Sequence, residues 1–291
     1  MQYNSASGEF RAKDFSLLHT YSSGQTLNFL GEMTTGKLES LSFSTTSGIF
    51  KVIYARAKGR QEGIVKWSYA GMQASAAEST LMQMLGMHND IKHVYKQIGK
   101  DKIMARAIRQ FYGMRLTKSD PWLAASCFIA SQYNSIKRIR QITIKLINKF
   151  GRKNGLSVFP SCKAIAKASE GSLRSCGLGF RAKYLKEFAE AYSEQGMDYL
   201  YALSYEKAKS ELMQFNGIGD KVADCILLFG YGKTEAFPID VWIKRSIEKL
   251  YFKGERQSTN AIHSFAAERF GLFAGYAQQY LYQYARQNNI K

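Results

Sequence analysis

The hydrophobic pattern of the chain changes its period once, near residue 75, and this change constrains the fold. Between about residues 10 and 70, apolar and polar residues alternate between Gly and Ser breaks, as in KLESLSFSTTSGIFKVIYARAKG. Such alternation is typical of half-buried strands. After Ser75 the apolar residues recur at helical spacing, as in DKIMARAIRQFYG, and they do so up to the C-terminus. Strands followed by helices predict an α+β fold.

The length of 291 residues is enough for two or three small domains. We expect the antiparallel β-sheet portion of an N-terminal domain over residues 1–75 and a helical extension over 76–117. An all-helical core is expected over 118–291. The segment DFSLLHTYSSGQTLNFLGEM, at 14–33, is assigned to the sheet because its apolar residues alternate with polar ones.

The charge balance points to a polyanionic partner. The chain has 41 Lys and Arg against 23 Asp and Glu, which gives a net charge of +18. Such a field attracts nucleic acid or an anionic membrane. The sequence has no run of about 18 apolar residues, and its start lacks the apolar segment of a secretory signal, so we expect an intracellular protein without membrane contact.

Metal chemistry is not expected. The cysteines lie far apart without a CxxC pair, and the histidines lack the spacing of metal ligands. A basic face is expected on the helix within 135–153, where seven Lys and Arg surround an apolar stripe. This face is either ordinary solvated surface or a surface that meets nucleic acid.

The stretch from Ser204 to Tyr251 reads as helix, hairpin, helix, loop, helix. The first helix spans 205–215, the two glycines of Asn216-Gly217-Ile218-Gly219 allow a tight turn, and a second helix starts near Asp220. A hairpin of this kind, about 205–230, presents backbone N–H groups and a helix N-terminus to a phosphate. An ordinary corner between two helices is the alternative.

Two residues in this stretch could carry chemistry. Lys221 lies in the first turn of the second helix, where the dipole favours the neutral amine that a nucleophile needs. Asp240 follows Pro238 at the position of a helix N-cap. Taken singly, Lys221 also fits a phosphate-binding surface charge, and a helix cap is the better explanation of Asp240.

GIGDKVADC followed by FPIDVW resembles the HhH-GPD superfamily of DNA glycosylases, and in particular its 8-oxoguanine glycosylase family. Further segments resemble that family in the same order along nearly the whole chain. They are SGQTLNF at 23–29, SDPWLAASCFIASQYNSIKRI at 119–139, CGLGFRAKYL at 176–185 and FGLFAGYAQQYLY at 270–282.

The resemblance implies a bifunctional DNA glycosylase and AP lyase that excises 8-oxoguanine from double-stranded DNA. Lys221 would be the Schiff-base nucleophile, and Asp240 the carboxylate that stabilises positive charge on the sugar. The damaged nucleotide must leave the helix before Lys221 can reach C1′. The resemblance implies no cofactor, apart from a structural monovalent cation that the hairpin could hold, and we expect a monomer.

The resemblance also assigns the residues around the base. A carbonyl at Gly24 would accept a hydrogen bond from the N7–H group that only the oxidised base carries. Gln278 would bind the base edge. Cys225 and Tyr282 would line the pocket, with Tyr282 replacing a usual phenylalanine. The backbone of the DNA would meet Gly217, Gly219 and Trp242, where Trp242 replaces a usual histidine and Asn216 the proline common before the hairpin.

Departures concentrate among the residues that would read the opposite base. In place of the family's asparagine triplet the chain has Tyr133-Asn134-Ser135, with the tyrosine at the expected reading position. Arg138 and Arg181 match the arginines that grip an orphaned cytosine, and Phe180 replaces the wedge tyrosine. Two other functions stay open, namely a glycosylase for alkylated or other purines and a non-catalytic helix-hairpin-helix protein. The lysine after the hairpin argues against the first, and its pairing with Asp240 argues against the second.

Overall fold

A computed structural model gives the architecture of residues 4–25, 27–28, 30, 33–36, 38–57, 62–71, 74–153 and 155–290, with the side chains of 152 and 153 excepted. Positions 26 and 29 of the SGQTLNF segment therefore lie outside the described residues. None of the described helices has the length and apolar character needed to cross a membrane.

The N-terminal region contains a four-stranded antiparallel sheet, which confirms the predicted class of fold. Its strands are β1 (Asn4–Lys13), β2 (Leu38–Ser44), β3 (Gly48–Arg56) and β4 (Glu62–Gly71). The first strand pairs with the last, so that the order is β1-β4-β3-β2. Alternation along β4 directs Val65, Trp67 and Tyr69 to the buried face.

The assignment of 14–33 to the sheet is wrong in part, because a short helix, α1 (Leu17–Ser22), lies within it. Ser16 caps this helix by accepting a hydrogen bond from the backbone N–H of His19 at 3.2 Å. Leu17 and Tyr21, four residues apart, share one helical face and are both buried against the sheet. Alternation in so short a segment did not distinguish one and a half helical turns from a strand.

Helices dominate the chain after residue 76. They are α2 (Ala77–Met84), α3 (Ile91–Ile98), α4 (Lys102–Gln110), α5 (Pro121–Ser131), α6 (Ile136–Phe150), α7 (Cys162–Ala166), α8 (Glu170–Leu173), α9 (Arg181–Gln195), α10 (Tyr205–Leu212), α11 (Asp220–Ile226), α12 (Val241–Tyr251), α13 (Thr259–Phe270) and α14 (Ala274–Gln287). The region expected to be all-helical also contains a short β-hairpin of two strands with two residues each, β5 (Arg152–Lys153) and β6 (Leu156–Ser157). Single π-helical turns occur at Arg174–Leu178 and Leu227–Tyr231, the second directly after α11.

The described residues form two hydrophobic cores. The smaller one lies between the sheet, α1 and α2, and the larger one joins the helices from α3 onward. The segment 76–117 is thus divided, since α2 packs with the sheet while α3 and α4 pack with α14. The larger core surrounds α5, ten of whose eleven residues are buried.

Candidate active site

A cleft of about 570 Å³ brings together residues from distant parts of the chain. Of the residues assigned by resemblance, its lining contains Gly24, Tyr133, Asn134, Lys221, Cys225, Asp240, Trp242, Gln278 and Tyr282. The other assigned residues, Arg138, Phe180, Arg181, Gly217 and Gly219, are not among the described residues that line it. The predicted nucleophile and its carboxylate partner therefore face the same space.

The hairpin that precedes Lys221 forms as predicted, except that its first helix, α10, ends at Leu212 rather than at residue 215. Gly217 has a φ of +78°, and a Cβ atom there would lie 2.3 Å from the ring of Tyr184, so only glycine fits. The carbonyl of Gly217 accepts a hydrogen bond from Gln132 Nε2 at 2.9 Å. Gly219 is the N-cap of α11 and has open space beside it, which leaves the helix N-terminus accessible to a phosphate.

Lys221 is half-buried in the first turn of α11 and its amine is held by α5. Its Nζ donates to Ser131 Oγ at 3.4 Å and lies 5.6 Å from the centre of the Phe128 ring. The hydroxyl of Ser131 donates its own proton to the carbonyl of Phe128 at 2.7 Å, which leaves its oxygen free to accept. Sequence reasoning missed Ser131, because 90 residues separate it from Lys221.

Ion pairs hold the far side of α11. Lys209 Nζ lies 2.7 Å from Asp220 Oδ1 and 2.9 Å from Asp224 Oδ1, and His263 Nε2 lies 3.0 Å from Asp220 Oδ2. The hydrogen bond with His263 holds the pKa of Asp220 well below its usual range, whereas burial raises the pKa of Asp224. The two carboxylates and the imidazole have the spacing of metal ligands. The ammonium of Lys209 contacts both carboxylates and offsets part of their charge, and these contacts hold the helix that carries Lys221.

Asp240 is the N-cap of α12, as the sequence predicts. Its Oδ1 accepts a hydrogen bond from the backbone N–H of Ile243 at 2.7 Å. Within the described part of the chain, its Oδ2 has no hydrogen-bond partner. The cap therefore fixes the orientation of the carboxylate while one oxygen stays available in the cleft.

Three side chains assigned to the base pocket, Cys225, Tyr282 and Gln278, line the cleft. Burial raises the pKa of the Cys225 thiol to about 11, so it is a neutral, compact wall at neutral pH. Tyr282 is half-buried, with the guanidinium of Arg286 5.4 Å from its ring centre. Gln278 Nε2 donates to the carbonyl of Pro238 at 3.1 Å, and its buried Oε1 has no partner among the described residues. That oxygen is an unused hydrogen-bond acceptor on a residue that lines the cleft.

The backbone at Gly24 favours glycine. Its φ is +82°, and a Cβ atom there would lie 2.7 Å from Ile136 Cδ1. Gln25, which sequence reasoning did not single out, fixes the next position by donating to the carbonyl of Arg115 at 2.9 Å and accepting from the Thr117 N–H at 3.0 Å. The backbone at Gly24 is thereby held at the edge of the cleft.

The residues assigned to the opposite base differ in what they present. Tyr133 is 94% exposed, Phe180 is 45% exposed, and Arg138 is also exposed. Asn134 uses its Nδ2 to cap α5 at the carbonyl of Ala130, at 2.8 Å. We refer to these four residues and Arg181 as the mouth of the cleft, although only Tyr133 and Asn134 belong to its described lining.

Arg181 is turned into the protein. It is 7% exposed, and it donates from Nε to the carbonyl of Gln132 at 2.7 Å and from Nη1 to the carbonyl of Leu178 at 3.1 Å. Its Nη2 also donates to Gln132. A role in gripping cytosine would require these bonds to break. Trp242, by contrast, lies partly exposed in the first turn of α12, at the edge of the cleft.

Two family models match the chain in succession. The model of the 8-oxoguanine DNA glycosylase N-terminal domain matches residues 9–124, and that of the HhH-GPD superfamily base excision DNA repair proteins matches residues 127–270. A probable N-glycosylase/DNA lyase of Methanothermobacter thermautotrophicus is 32% identical over 228 residues, which cover 69% of this chain and 72% of that protein. The N-glycosylase/DNA lyase of Saccharomyces cerevisiae is 30% identical over 71% of this chain and 66% of its own length.

Solved structures agree with these matches. MBOgg1, solved with a low-affinity DNA ligand, has a TM-score of 0.85 and 28% identity over 99% of this chain and 100% of its own. The Clostridium acetobutylicum 8-oxoguanine glycosylase/lyase, solved with double-stranded DNA that contains cytosine opposite 8-oxoguanine, has a TM-score of 0.83. It is 25% identical over 100% of both chains.

The hairpin, the lysine in the helix after it and the aspartate that caps the next helix define a helix-hairpin-helix DNA glycosylase of the type that also cleaves the strand. With the matching N-terminal domain added, the chain belongs to the 8-oxoguanine DNA glycosylase family of N-glycosylase/DNA lyases.

Proposed function

We propose that the protein excises 8-oxoguanine from double-stranded DNA and then cleaves the damaged strand, as one enzyme of base excision repair. The observation that carries the proposal is that Lys221 and Asp240, nineteen residues apart in the sequence, line one cleft together with Gln278, whose buried amide oxygen has no partner among the described residues. A binding protein has no need of this pairing. The net charge of +18 suits a DNA partner.

Lys221 is the nucleophile in this proposal. Its neutral amine attacks C1′ of the flipped nucleotide, and the N-glycosidic electron pair leaves with the base, which takes up a proton. The attached amine then loses a proton while the C1′–O4′ bond breaks and O4′ is protonated, so that the sugar ring opens and an imine forms. The imine acidifies the C2′ proton, and removal of that proton expels the 3′ phosphate. The free Oδ2 of Asp240 faces the sugar and stabilises the positive charge that develops there. The chemistry uses side chains alone, and a structural monovalent cation in the hairpin stays a prediction.

Base selection follows from the acceptors in the pocket. The Oε1 atom of Gln278 suits the N1–H and N2–H donors on the edge of a guanine. A carbonyl at Gly24 would meet the N7 proton of the oxidised base, whereas normal guanine would place a lone pair against it. That mismatch costs about 1–3 kcal/mol. An alkylated-base glycosylase shares the hairpin and the aspartate but has no use for Lys221.

The decisive experiment is borohydride trapping. A duplex with 8-oxoguanine should yield a covalent adduct with the native enzyme, because reduction fixes the imine. Lys221→Gln should abolish both the adduct and strand cleavage while binding of damaged DNA stays within about tenfold, since shape is conserved. Lys207→Gln, which removes an exposed lysine of α10, is the matched control and should trap normally. Trapping by Lys221→Gln would refute the assignment.

We further infer that the enzyme works inside the cell, in the compartment that holds the DNA. Its action as a monomer remains a prediction, which sedimentation of the free enzyme and of its DNA complex tests directly.

A further inference from the structure

A second cavity, of about 730 Å³, opens beside the first turn of α11, and Lys221 is not among the described residues that line it. Asp220 of α11 and His263 of α13 both contribute to its lining. Asp224 lies one turn after Asp220 on the same face of α11, and its side chain is completely buried. The cavity therefore reaches a group of two carboxylates and one imidazole.

The two carboxylates use one oxygen each for their other partners. Lys209 Nζ contacts Oδ1 of both Asp220 and Asp224, and the hydroxyl of Tyr205 donates to the same Oδ1 of Asp224 at 2.6 Å. The second oxygens, Oδ2, lie 3.0 Å (Asp220) and 3.7 Å (Asp224) from His263 Nε2. Lys209 and Tyr205 thus orient the carboxylates and leave both Oδ2 atoms beside the imidazole.

The Oδ2 atom of Asp224 is the observation that points to a ligand. It is buried and has no hydrogen-bond partner among the described residues, because 3.7 Å to His263 Nε2 is too long for a hydrogen bond. Leaving a buried acceptor unsatisfied is unfavourable, and more so when it is charged. The ammonium of Lys209 offsets one of the two negative charges, so the group with a neutral imidazole stays negative. A cation at Oδ2 would supply the partner and neutralise the remaining charge.

We propose that His263 Nε2, Asp220 Oδ2 and Asp224 Oδ2 bind a divalent transition-metal ion, with Zn²⁺ as the best fit. The three residues offer ligand atoms that lie within 4.8 Å of one another. Atoms that share a zinc ion at about 2.0–2.2 Å lie roughly 3.0–3.6 Å apart, so small side-chain rotations complete the site. The imidazole favours Zn²⁺ over Mg²⁺ and Ca²⁺, which prefer oxygen ligands. Lys209 and Tyr205 hold the carboxylates as outer residues do in metal sites.

The ion takes the place of a proton. The ionised carboxylate of Asp220 can only accept, so His263 donates to it from Nε2. When the metal binds, the Nε2 proton leaves and the neutral imidazole keeps its proton on Nδ1. The ion then ties α13 to the helix that carries Lys221. No local sequence pattern shows this site, because 43 residues separate His263 from Asp220.

Titration calorimetry of the full chain with Zn²⁺, after removal of bound metal with a chelator, tests the site. The native chain should bind one ion there, and a hundredfold excess of free Zn²⁺ over Kd should raise Tm by about 4 °C. His263→Gln should weaken this binding at least about a hundredfold, because loss of even an outer residue costs about tenfold to a hundredfold. His88→Gln, which removes an exposed histidine outside the group, is the matched control and should bind as the native chain does.

A second variant removes charge and keeps shape. Asp224→Asn should abolish the rise in Tm, because a neutral amide oxygen is a poor ligand for the ion. If this buried substitution prevents folding, His263→Gln still decides, since the side chain of His263 is 22% exposed and tolerates replacement.

Three results would overturn the site. They are a native chain that binds no Zn²⁺, equal binding by the native chain and His263→Gln, and binding of Ca²⁺ as tight as that of Zn²⁺, which would exclude the imidazole as a ligand. These measurements use no DNA, so their outcome is independent of the proposed function.

Discussion

The floor and the mouth of the cleft present opposite kinds of atoms to DNA. On the floor, Lys221, Asp240 and Gln278 are each fixed by one hydrogen bond to the protein and keep a reactive or accepting atom for the substrate. At the mouth, the guanidinium of Arg181 donates its hydrogen bonds to backbone carbonyls, and the ring of Tyr133 is exposed to solvent. The damaged base therefore meets selective polar groups, whereas the opposite strand meets largely unselective ones.

The largest effect that tests the floor is expected from Asp240→Asn. The amide keeps the cap on Ile243, since Asn and Asp cap helices equally well, but it cannot stabilise positive charge on the sugar. Base excision should slow at least about a hundredfold in single-turnover assays, with Tm nearly unchanged. Asp90→Asn, which changes the N-cap of α3 in the same way, should leave the rate intact. Near-normal turnover of Asp240→Asn would show that Asp240 acts only as a helix cap, and the contrast between floor and mouth would then fail.

An intermediate effect is expected at the mouth. Rates of excision opposite A, G or T should lie within about thirtyfold of the rate opposite cytosine. The hydrogen bonds that would select cytosine are absent or incomplete, and this lowers the free energy of discrimination by about 1–2 kcal/mol. Arg138 remains an exposed donor, so cytosine should still rank first. Single-turnover rates on the four duplexes measure this directly.

The double variant Tyr133→Asn with Phe180→Tyr sharpens the same comparison. It restores an amide and a hydroxyl at the mouth, and it should widen the preference for cytosine by about fivefold to thirtyfold without changing the rate of borohydride trapping opposite cytosine. A native preference above about a thousandfold would show that Arg138 and Arg181 suffice, with Arg181 released from Gln132 on binding.

Local sequence signals predicted the floor far better than the mouth. The hairpin glycines, the first-turn position of Lys221 and the N-cap of α12 each depend on a few adjacent residues, and all three are confirmed. The direction in which Arg181 points depends on a carbonyl 49 residues away, which no local pattern encodes. For the same reason the short helix α1 was mistaken for a strand, since burial against the sheet decides its conformation.

The smallest effect concerns a residue of the floor that has no local signal. Ser131 Oγ accepts a hydrogen bond from Lys221 Nζ at 3.4 Å, a long bond that positions the amine without enclosing it. Ser131→Ala should slow trapping about twofold to tenfold, since one hydrogen bond contributes about 0.5–1.5 kcal/mol. The loss should appear in the single-turnover rate and leave DNA affinity unchanged, because Ser131 would act through the amine alone. Ser126→Ala is the matched control, since Ser126 lies on the same helix, is buried and donates to the carbonyl of Trp122 at 2.8 Å, away from Lys221. Equal losses in both variants would show that the rate falls because α5 is disturbed. A loss confined to Ser131→Ala would show that α5 helps to position the amine of Lys221.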